Sequence, residues 1–364
     1  MPLKLLKLIL TAILTLPLLS GSSALLEAGT GCATLEVHFI DVGQGDAILI
    51  RKCSVHILID GGNRGDTVSG YLERKNVDKL DLVIATHPHA DHIGGLINVI
   101  ENFTVKKIFD SGAAHTTATY RQYMNTSKKR DVGFTEARAG IERRFGENLI
   151  MNILHPAEIR GDNLNDLSVV ARFSFKDISF LFTGDLERAG EAELLGRGYK
   201  LNSTILKVAH HGSRTGTTGP FLSSVNPEAA VIMCGRDNRY GHPHREVLDR
   251  LNSNDIKIYR TDLHGTVVIK TDGRNYSVNI NEPFIHKGGD IPLIYPGDSK
   301  IDINSASVKE LQGIVHIGEE RAEEIIKLRP FNSLDDLRRV KGIGPGRLRD
   351  IKEQGRAFAG PVEE

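Results

Sequence analysis

Three histidines and an aspartate stand within six consecutive residues, directly after a predicted buried strand. The segment reads Thr86-His-Pro-His-Ala-Asp-His92 and is followed by Ile93-Gly-Gly95. The segment from Leu80 to Ala85 that precedes it is largely apolar, which is typical of a strand covered on both faces. A tight loop at the end of such a strand can bring all four side chains to one point, which a helix cannot do at this spacing. Imidazoles and carboxylates are ligands of divalent cations such as Zn²⁺, so the segment predicts a metal site.

Further candidate ligands follow three other apolar strands. They are Asp185, the pair His210 and His211, and the pair His242 and His244. Asp185 alone indicates little, because an aspartate after a glycine is as expected at a turn or a helix cap. However, seven of the 14 histidines lie in three short segments, which are Thr86–His92, the His210–His211 pair and the segment with His242 and His244. This clustering at strand ends predicts one shared site.

The order of predicted elements divides the chain into domains. Residues 35–281 alternate short apolar strands with helices, a pattern typical of an α/β domain with layered sheets and helices outside. Residues 282–300 contain three prolines and three glycines and predict a linker. Residues 301–356 predict a small all-α domain that repeats a helix-turn-helix unit, with glycine turns near Gly318 and Gly342.

The first 24 residues have the pattern of a secretory signal peptide. Two lysines, an apolar run and the small residues Ser20–Ala24 follow one another. The uncharged stretch Leu8–Leu19 is shorter than the roughly 18 to 20 residues that span a bilayer, which disfavours the alternative of an uncleaved anchor. We therefore expect an extracytoplasmic protein without an integral membrane span. A lipid anchor at Cys32 is a further alternative, which Gly29 disfavours because an aliphatic residue is expected at that position.

Composition excludes several classes of protein. The chain has 46 basic and 46 acidic side chains, 40% hydrophobic residues and three cysteines. This balance excludes intrinsic disorder, collagen-like repeats and a fully paired disulfide framework. The net charge of zero gives no global indication of nucleic-acid binding, which leaves only local patches for that role.

In combination, the motifs of residues 35–281 resemble the metallo-β-lactamase superfamily, and most closely the extracellular domain of ComEC-type competence proteins. The matching segments are Phe39–Asp46, Thr86–Gly95, Asn165–Ser168, Thr183–Asp185, His210–Ser213 and Gly241–Pro243. The resemblance implies an αββα sandwich in the α/β class. It also implies hydrolysis of a phosphoester or similar bond by a metal-activated hydroxide.

The resemblance further implies which residues hold metal. The implied ligands are His87 and His89 for one ion, Asp91 and His92 for a second, Asp185 as a bridge, and one of His210 and His211 at the second ion. The sequence leaves open which of the last two residues is the ligand. One or two ions are expected, with Zn²⁺ as the first choice and Mn²⁺ as the alternative.

Other residues would support the metal site. Asp60 would brace the histidine loop, although a simple turn aspartate is the alternative. Asp91 would accept the proton of the attacking water, and the bridging Asp185 is the other candidate for that role. His242 and Ser213 would lie at the mouth of the site as substrate contacts, with His242 as a proton donor to the leaving group.

One position departs from the superfamily pattern. Many members have a histidine before the Gly-Asp strand, where this chain has Asn163 and Asn165, with His155 further back. The expected first metal site is therefore weak, three-coordinate, or completed by Asn165.

The C-terminal turns resemble the helix-hairpin-helix pair of ComEA-type DNA receptors. The segments that carry the resemblance are Asp302–Ala306, Leu311–Ile314 and Val340–Pro345. Glycine allows backbone N–H groups at a helix start to approach a phosphate. The expected DNA-binding residues are Lys341, Gly342, Ile343, Gly344, Gly346 and Arg347, with Arg338, Arg339 and Arg349 nearby. His316 stands where a glycine is usual, so the first hairpin is expected to be chiefly structural.

The predicted function is an exported metal-dependent hydrolase, a nuclease or phosphodiesterase acting on DNA. The C-terminal domain would hold the DNA by its phosphate backbone, without sequence specificity, and raise its concentration at the metal site. A protein-interaction role for that domain is the alternative. Two other functions remain open: a small-ester or lactam metallohydrolase with a tethering tail, and a DNA-uptake receptor without catalytic activity.

Overall fold

Apolar strands with two buried faces form most of the architecture. The computed structural model describes residues 33–285 and 300–360. In chain order, the strands are β1 (Leu35–Phe39), β2 (Ile48–Lys52), β3 (Val55–Ile59), β4 (Lys79–Leu80), β5 (Leu82–Ala85), β6 (Thr104–Val105), β7 (Lys107–Asp110), β8 (Gly133–Glu136), β9 (Glu142–Arg144), β10 (Leu149–His155), β11 (Val170–Phe175), β12 (Ile178–Phe182), β13 (Ile205–Lys207), β14 (Ala229–Ile232), β15 (Lys257–Arg260), β16 (Val267–Thr271), β17 (Tyr276–Val278), β18 (Ile301–Asp302) and β19 (Ala357–Phe358).

Helices connect these strands and complete the C-terminal domain. They are α1 (Thr67–Arg74), α2 (Ala90–Ile93), α3 (Leu96–Asn102), α4 (Ala118–Lys129), α5 (Arg188–Gly196), α6 (Gly219–Val225), α7 (Arg245–Asn252), α8 (Thr261–His264), α9 (Val308–Leu311), α10 (Glu319–Leu328) and α11 (Pro345–Gln354). Single turns of 3₁₀-helix lie at Asn165–Leu167 and Ala209–Gly212, and a longer one at Leu334–Arg339.

Two sheets face each other across an apolar core. The first has the strand order β17-β16-β1-β2-β3-β5-β7-β8 and the second the order β15-β14-β13-β12-β11-β10-β9. Phe39 of the first sheet packs against Phe182 of the second, with ring centroids 6.1 Å apart. Helices α1, α3 and α4 cover the outer face of the first sheet, and α5, α6 and α7 cover that of the second. The predicted αββα sandwich is therefore confirmed.

The parallel strands position the loops that carry the candidate ligands. In β3, Ile57 and Ile59 face the opposite sheet while Leu58 faces the helices, which explains the continuous apolar sequence. Strands β3, β5, β7 and β8 pair in parallel, as do β12 to β15. Their carboxyl ends therefore lie at one edge of each sheet, where the predicted metal-binding loops begin.

Several short elements were absent from the sequence-based prediction. These include β8 and β9, whose residues are largely exposed and lack an apolar alternation. Without a buried face, such edge strands carry little sequence signal, and their pairing with β7 and β10 defines them instead.

The C-terminal domain has its own core. Helices α9, α10 and α11 and the turn at Leu334–Arg339 pack around Phe331, which is fully buried. The first helix of each unit begins with a capping box, at Ser307 and at Ser333. The parallel pair β18–β19 closes the domain, an addition to its predicted all-α structure. Tyr240 of the sandwich packs against this core, so the two domains are in contact.

The sandwich extends into the predicted linker. The Phe284 N–H donates to the Ile258 carbonyl at 2.7 Å, and the Phe284 ring centroid lies 4.8 Å from Cζ of Arg260. The signal peptide at residues 1–24, the candidate lipid site Cys32 and linker residues 286–299 lie outside the described residues. Within the described ranges, no helix combines the length and apolar character needed to cross a membrane.

Glu191 anchors the loop that follows His210 and His211. Its buried carboxylate accepts the N–H of Thr218 at 2.9 Å, the Thr218 hydroxyl at 2.6 Å, and the N–H of Thr217. We expect Glu191→Ala to lower the free energy of unfolding by about 3 kcal/mol, since buried donors lose their acceptor. Urea unfolding followed by circular dichroism measures this. The control Glu193→Ala, on the exposed side of α5, should change stability by less than about 1 kcal/mol. Equal losses would show that other contacts hold the loop.

Candidate metal centre

Asp60 at the end of β3 fixes the histidine loop that follows β5. Its Oδ1 accepts the Thr86 N–H at 2.8 Å, and its Oδ2 accepts the Thr86 hydroxyl at 2.6 Å. The same Oδ2 lies 2.8 Å from Nδ1 of His92. Asp60 is fully buried, and this burial raises its pKa. Because Nδ1 of His92 is engaged, its Nε2 is the ring nitrogen left to face a ligand.

Four ligand atoms from three segments of the chain converge, one of them from Asp185. Oδ2 of Asp185 lies 3.2 Å from Nε2 of His92 and 3.3 Å from Nε2 of His211. Oδ2 of Asp91 lies 3.4 Å from the same His211 nitrogen. The four ligand atoms all lie within 4.8 Å of one another. Asp91, His92, Asp185 and His211 therefore form one candidate metal-binding group.

The two adjacent histidines after β13 point in different directions. Both adopt a left-handed backbone conformation, with φ of 46° at His210 and 54° at His211. Nδ1 of His211 lies 2.9 Å from the Met233 carbonyl oxygen, which directs its Nε2 towards Asp185. His210 instead places Nδ1 3.0 Å from Oε1 of Glu187, and its Nε2 is 3.8 Å from Asp185. The convergent group thus contains His211, and His210 lies on the wall beside it.

His87 and His89 form a second candidate group. Nε2 of His87 lies 2.9 Å from Nδ1 of His89 and 3.8 Å from Oδ2 of Asp185. The same Oδ2 of Asp185 thus lies near His87 as well as near His92 and His211, a position suited to a bridging carboxylate.

Asn165 lines the same cleft as His89. Its Nδ2 donates to Oε1 of Glu187 at 2.9 Å, while its Oδ1 is buried and has no hydrogen-bond partner among the described residues. Asn163 instead donates to Asp166 and Glu187. Nδ1 of His155 lies 2.9 Å from the Ser168 carbonyl oxygen, and His155 does not line the cleft at the site.

A buried lysine lies behind the convergent ligands. Nζ of Lys207 contacts the Asp46 carboxylate, donates to the Gly184 carbonyl at 2.9 Å and lies 3.8 Å from Oδ1 of Asp185. Asp46 in turn places Oδ1 3.3 Å from Nδ1 of His211. Neither residue was predicted from the sequence to have a role at the site. The available signal was a charged residue in an otherwise apolar buried strand, which is rare without a partner.

The ligands open into a cleft of about 270 Å³ that both domains line. The lining from the sandwich includes Gln44, His89, Asp91, His115, Thr117, Asn165, Asp185, His210, His211, Ser213, Tyr240 and His242. His316, Asp350 and Gln354 contribute from the C-terminal domain. Nε2 of His316 lies 2.5 Å from Oδ2 of Asp350. The first hairpin, expected to be chiefly structural, therefore forms part of the cleft wall.

His242 and Ser213 both lie in that wall. The His242 ring stacks on Tyr240 with centroids 5.6 Å apart. Burial, together with nearby histidines such as His210, holds the pKa of His242 well below its usual value. The Ser213 hydroxyl lies 3.0 Å from that of Thr215.

Comparison with known families agrees with this geometry. Residues 40–236, more than half of the chain, match the profile of the metallo-β-lactamase superfamily. This chain belongs to the metallo-β-lactamase superfamily. Residues 297–356 match the helix-hairpin-helix motif. The protein is therefore a metallo-β-lactamase superfamily member with a C-terminal helix-hairpin-helix motif.

Three relatives resemble this superfamily member over different spans. It is 28% identical to ComE operon protein 3 of Bacillus subtilis over 269 residues, which cover 68% of this chain and 34% of that protein. It is 32% identical to competence protein ComA of Neisseria gonorrhoeae over 236 residues, 62% of this chain and 31% of the relative. It is 52% identical to a deoxyribonuclease of Thioalkalivibrio over 61 residues, 17% of each protein. The chain spans about a third of the length of the first two relatives.

The donor set of this superfamily member fits divalent metal ions. Four buried atoms at the site have no hydrogen-bond partner among the described residues: Nε2 of His92, Nε2 of His211, Oδ1 of Asp185 and Oδ1 of Asn165. Buried polar atoms without partners are rare and unfavourable. Imidazole nitrogens and carboxylate oxygens are the ligands of Zn²⁺ and similar ions, which would satisfy these atoms.

The charges at the site also fit the binding of a divalent cation. Burial opposes a charge on His211, but Asp185 and Asp46 hold its pKa well above the usual value. Burial likewise opposes ionisation of Asp185, but His211 and His92 hold its pKa well below the usual range. The carboxylates and imidazoles at this centre thus favour one another's charged forms, and a bound cation would take the place of the imidazole protons.

The second hairpin presents a basic, glycine-rich surface. Lys341, Gly344, Gly346 and Arg347 are exposed, as is Gly342, whose φ of 83° favours glycine. Arg321 is part of this surface, because it donates to the Lys341 carbonyl at 3.3 Å. It was not among the predicted DNA-binding residues. Ile343 was predicted as a DNA-binding residue, but its side chain is 3% exposed and packs in the domain core.

Proposed function

We propose that this protein is a metal-dependent phosphodiesterase that cleaves DNA held by its helix-hairpin-helix domain. The observation that carries the proposal is the shared cleft, in which His316, Asp350 and Gln354 lie opposite the candidate metal ligands. DNA bound to the C-terminal domain would thus lie next to the metal centre at a high effective concentration. The similarity to a deoxyribonuclease supports DNA as the substrate.

Two ions would complete the centre. The proposed ligands are His87, His89 and Asn165 for one ion, Asp91, His92 and His211 for the other, and Asp185 between them. When bound, such ions lower the pKa of water towards about 7 and polarise the phosphoryl oxygens. Zn²⁺ is the first choice because imidazole and carboxylate groups are its usual ligands, and Mn²⁺ is the alternative.

His210 is the proposed proton donor to the leaving oxygen. Burial opposes its charge, but Asp185 and Glu187 raise its pKa. Burial opposes ionisation of Glu187 as well, yet the bond with His210 lowers the pKa of Glu187 to about 2. His210, whose Nδ1 is paired with the Glu187 carboxylate, suits a general acid better than His242, whose Nδ1 has no hydrogen-bond partner among the described residues.

Asp91 is the proposed acceptor of the proton from the attacking water. Oδ2 of Asp91 lies 3.4 Å from Nε2 of His211, within the candidate metal-binding group. Its side chain is 28% exposed at the cleft, so an ionised carboxylate is within reach of water.

We further propose that the protein is exported. The first 24 residues carry a signal-peptide pattern. Cys53 is disulfide-bonded, whereas Cys234 is a buried free thiol. Stable disulfides are typical of oxidising, extracytoplasmic compartments.

Metal-dependent cleavage of labelled DNA tests the proposed function. We expect single- or double-stranded DNA to remain intact in EDTA and to be cleaved after Zn²⁺ or Mn²⁺ is restored. The double variant His87→Ala/His89→Ala should lose at least about 10³-fold in rate, equivalent to about 4 kcal/mol of transition-state stabilisation. His56→Ala is the matched control, because His56 does not line the cleft.

Two results would contradict this proposal. DNA binding without cleavage under any metal would support a DNA receptor without catalytic activity. Hydrolysis of a small ester or lactam, with DNA intact, would support a small-substrate hydrolase.

A further inference from the structure

A second groove, of about 770 Å³, runs between the two domains. Five basic side chains line it, which are Arg188 and Arg214 from the sandwich and Arg338, Arg349 and Lys352 from the C-terminal domain. Arg338 and Arg349 were predicted to lie beside the second hairpin, and both line this groove. The side chain of the neighbouring Arg339 instead bonds within the C-terminal domain, where it donates to the carbonyls of Leu328 and Pro330.

The acidic groups in the groove already have partners. Asp335 accepts from Nζ of Lys352 at 2.8 Å, and Asp166 accepts from Asn163 and from the Gly190 N–H. Glu187, the third acid, is bonded to Asn163 and Asn165 and lies against His210.

Two of the guanidinium groups in the groove have no hydrogen-bond or ion-pair partner among the described residues. Arg188 and Arg338 are exposed, one on each wall, and neither makes a hydrogen bond or ion pair with any residue in the described ranges. The groove therefore offers positive charge on both sides to an anionic ligand.

The groove connects the second hairpin with the metal cleft. Pro345 lines the groove at the start of α11, and Asp350 and Gln354 near the end of the same helix line the metal cleft. The ten residues of α11 span about 15 Å at 1.5 Å per residue. Thr215 lines the groove and places its hydroxyl 3.2 Å from Nδ1 of His210, on the wall of the metal cleft.

We propose that this groove binds the phosphates of a single DNA strand between the second hairpin and the metal centre. The proposal rests on the proposed function, and it gives the route by which DNA reaches the candidate metal ligands. The groove volume is in the range of small-molecule sites, which is room for a few nucleotides of one strand and not for a duplex. None of the described residues that line it is aromatic, so binding depends on phosphates rather than on base stacking.

Binding of a fluorescent single-stranded DNA in EDTA, followed by anisotropy over a range of salt concentrations, tests the groove. The variant Arg188→Gln/Arg338→Gln removes two of the proposed phosphate contacts. Each contact contributes about 0.7 to the slope of log affinity against log salt for a single strand, so the slope should fall by about 1.4. If the two proteins bind equally at about 1 M salt, this slope change corresponds to an affinity loss of about 70-fold at about 0.05 M salt, and the single variants should give intermediate losses.

A matched control separates the groove from a general charge effect. Arg130→Gln/Arg274→Gln removes the same charge from two exposed arginines outside both clefts and should leave affinity and slope close to wild type. Wild-type affinity and slope in the groove variant would overturn the proposal, as would tighter binding of a duplex than of the single strand. Because binding is measured without metal, a failure of DNA cleavage would refute the proposed function without affecting this result.

Discussion

Replacement of His211 by alanine is expected to release one metal ion and to slow DNA cleavage by at least about 10³-fold. Nε2 of His211 lies 3.3 Å from Asp185 and 3.4 Å from Asp91, so it is part of the convergent group. Its loss removes one ligand and also leaves Asp185 without the imidazole that most strongly favours its ionised form. Metal content by mass spectrometry after dialysis, together with cleavage rates, measures both effects.

His210→Ala is the matched control, because the two histidines are adjacent and share a left-handed backbone. We expect this variant to keep both ions and to lose about 10²-fold or more in rate, as for removal of a general acid. Loss of metal from the His210 variant, with metal retained in the His211 variant, would reverse the assignment.

Lys207→Met is expected to lower the free energy of unfolding by about 3 to 5 kcal/mol, since it leaves a buried carboxylate without its charge partner. Lys207 is 1% exposed, and its ammonium group contacts Asp46 and the Gly184 carbonyl. Urea unfolding of the metal-free protein measures the effect. Addition of Asp46→Asn should recover part of the loss, because the unpaired charge is then removed.

Lys106→Met provides the comparison for this prediction. Nζ of Lys106 lies 2.7 Å from Asp81, but its side chain is 53% exposed. Removal of an exposed pair should change stability far less than removal of the buried one, because solvent screens its charges. Similar values for the two lysine variants would show that the buried ion pair is not required for stability.

The strand pattern predicted a layered α/β domain and most candidate ligands for a local reason, whereas the αββα sandwich followed from the family resemblance. Strands buried on both faces have continuous apolar runs, and the residues that follow them must lie at a sheet edge. Thr86–His92 and Asp185 were therefore recognisable from short segments. Lys207 was recognisable in the same way, as a charge within an apolar strand, but its partner Asp46 lies 161 positions earlier in the chain.

Contacts between distant segments decided the rest. The choice between His210 and His211 depends on Glu187 and on the Met233 carbonyl, which lie far from them in the sequence. His115 and His316 reach the cleft only because separate segments pack together around it.

The sequence by itself determined the two domains, the histidine loop and the glycine-rich hairpins, because hydrophobic periodicity and turn chemistry act over a few residues. The tertiary structure alone decided which side chains meet at the metal cleft and that the domains share it. Arg214 and Gln354 illustrate this, since Gln354 bonds the Arg239 carbonyl and its own carbonyl accepts from Arg214 at 3.3 Å. Such contacts join residues more than a hundred positions apart, and only the packed chain brings them together.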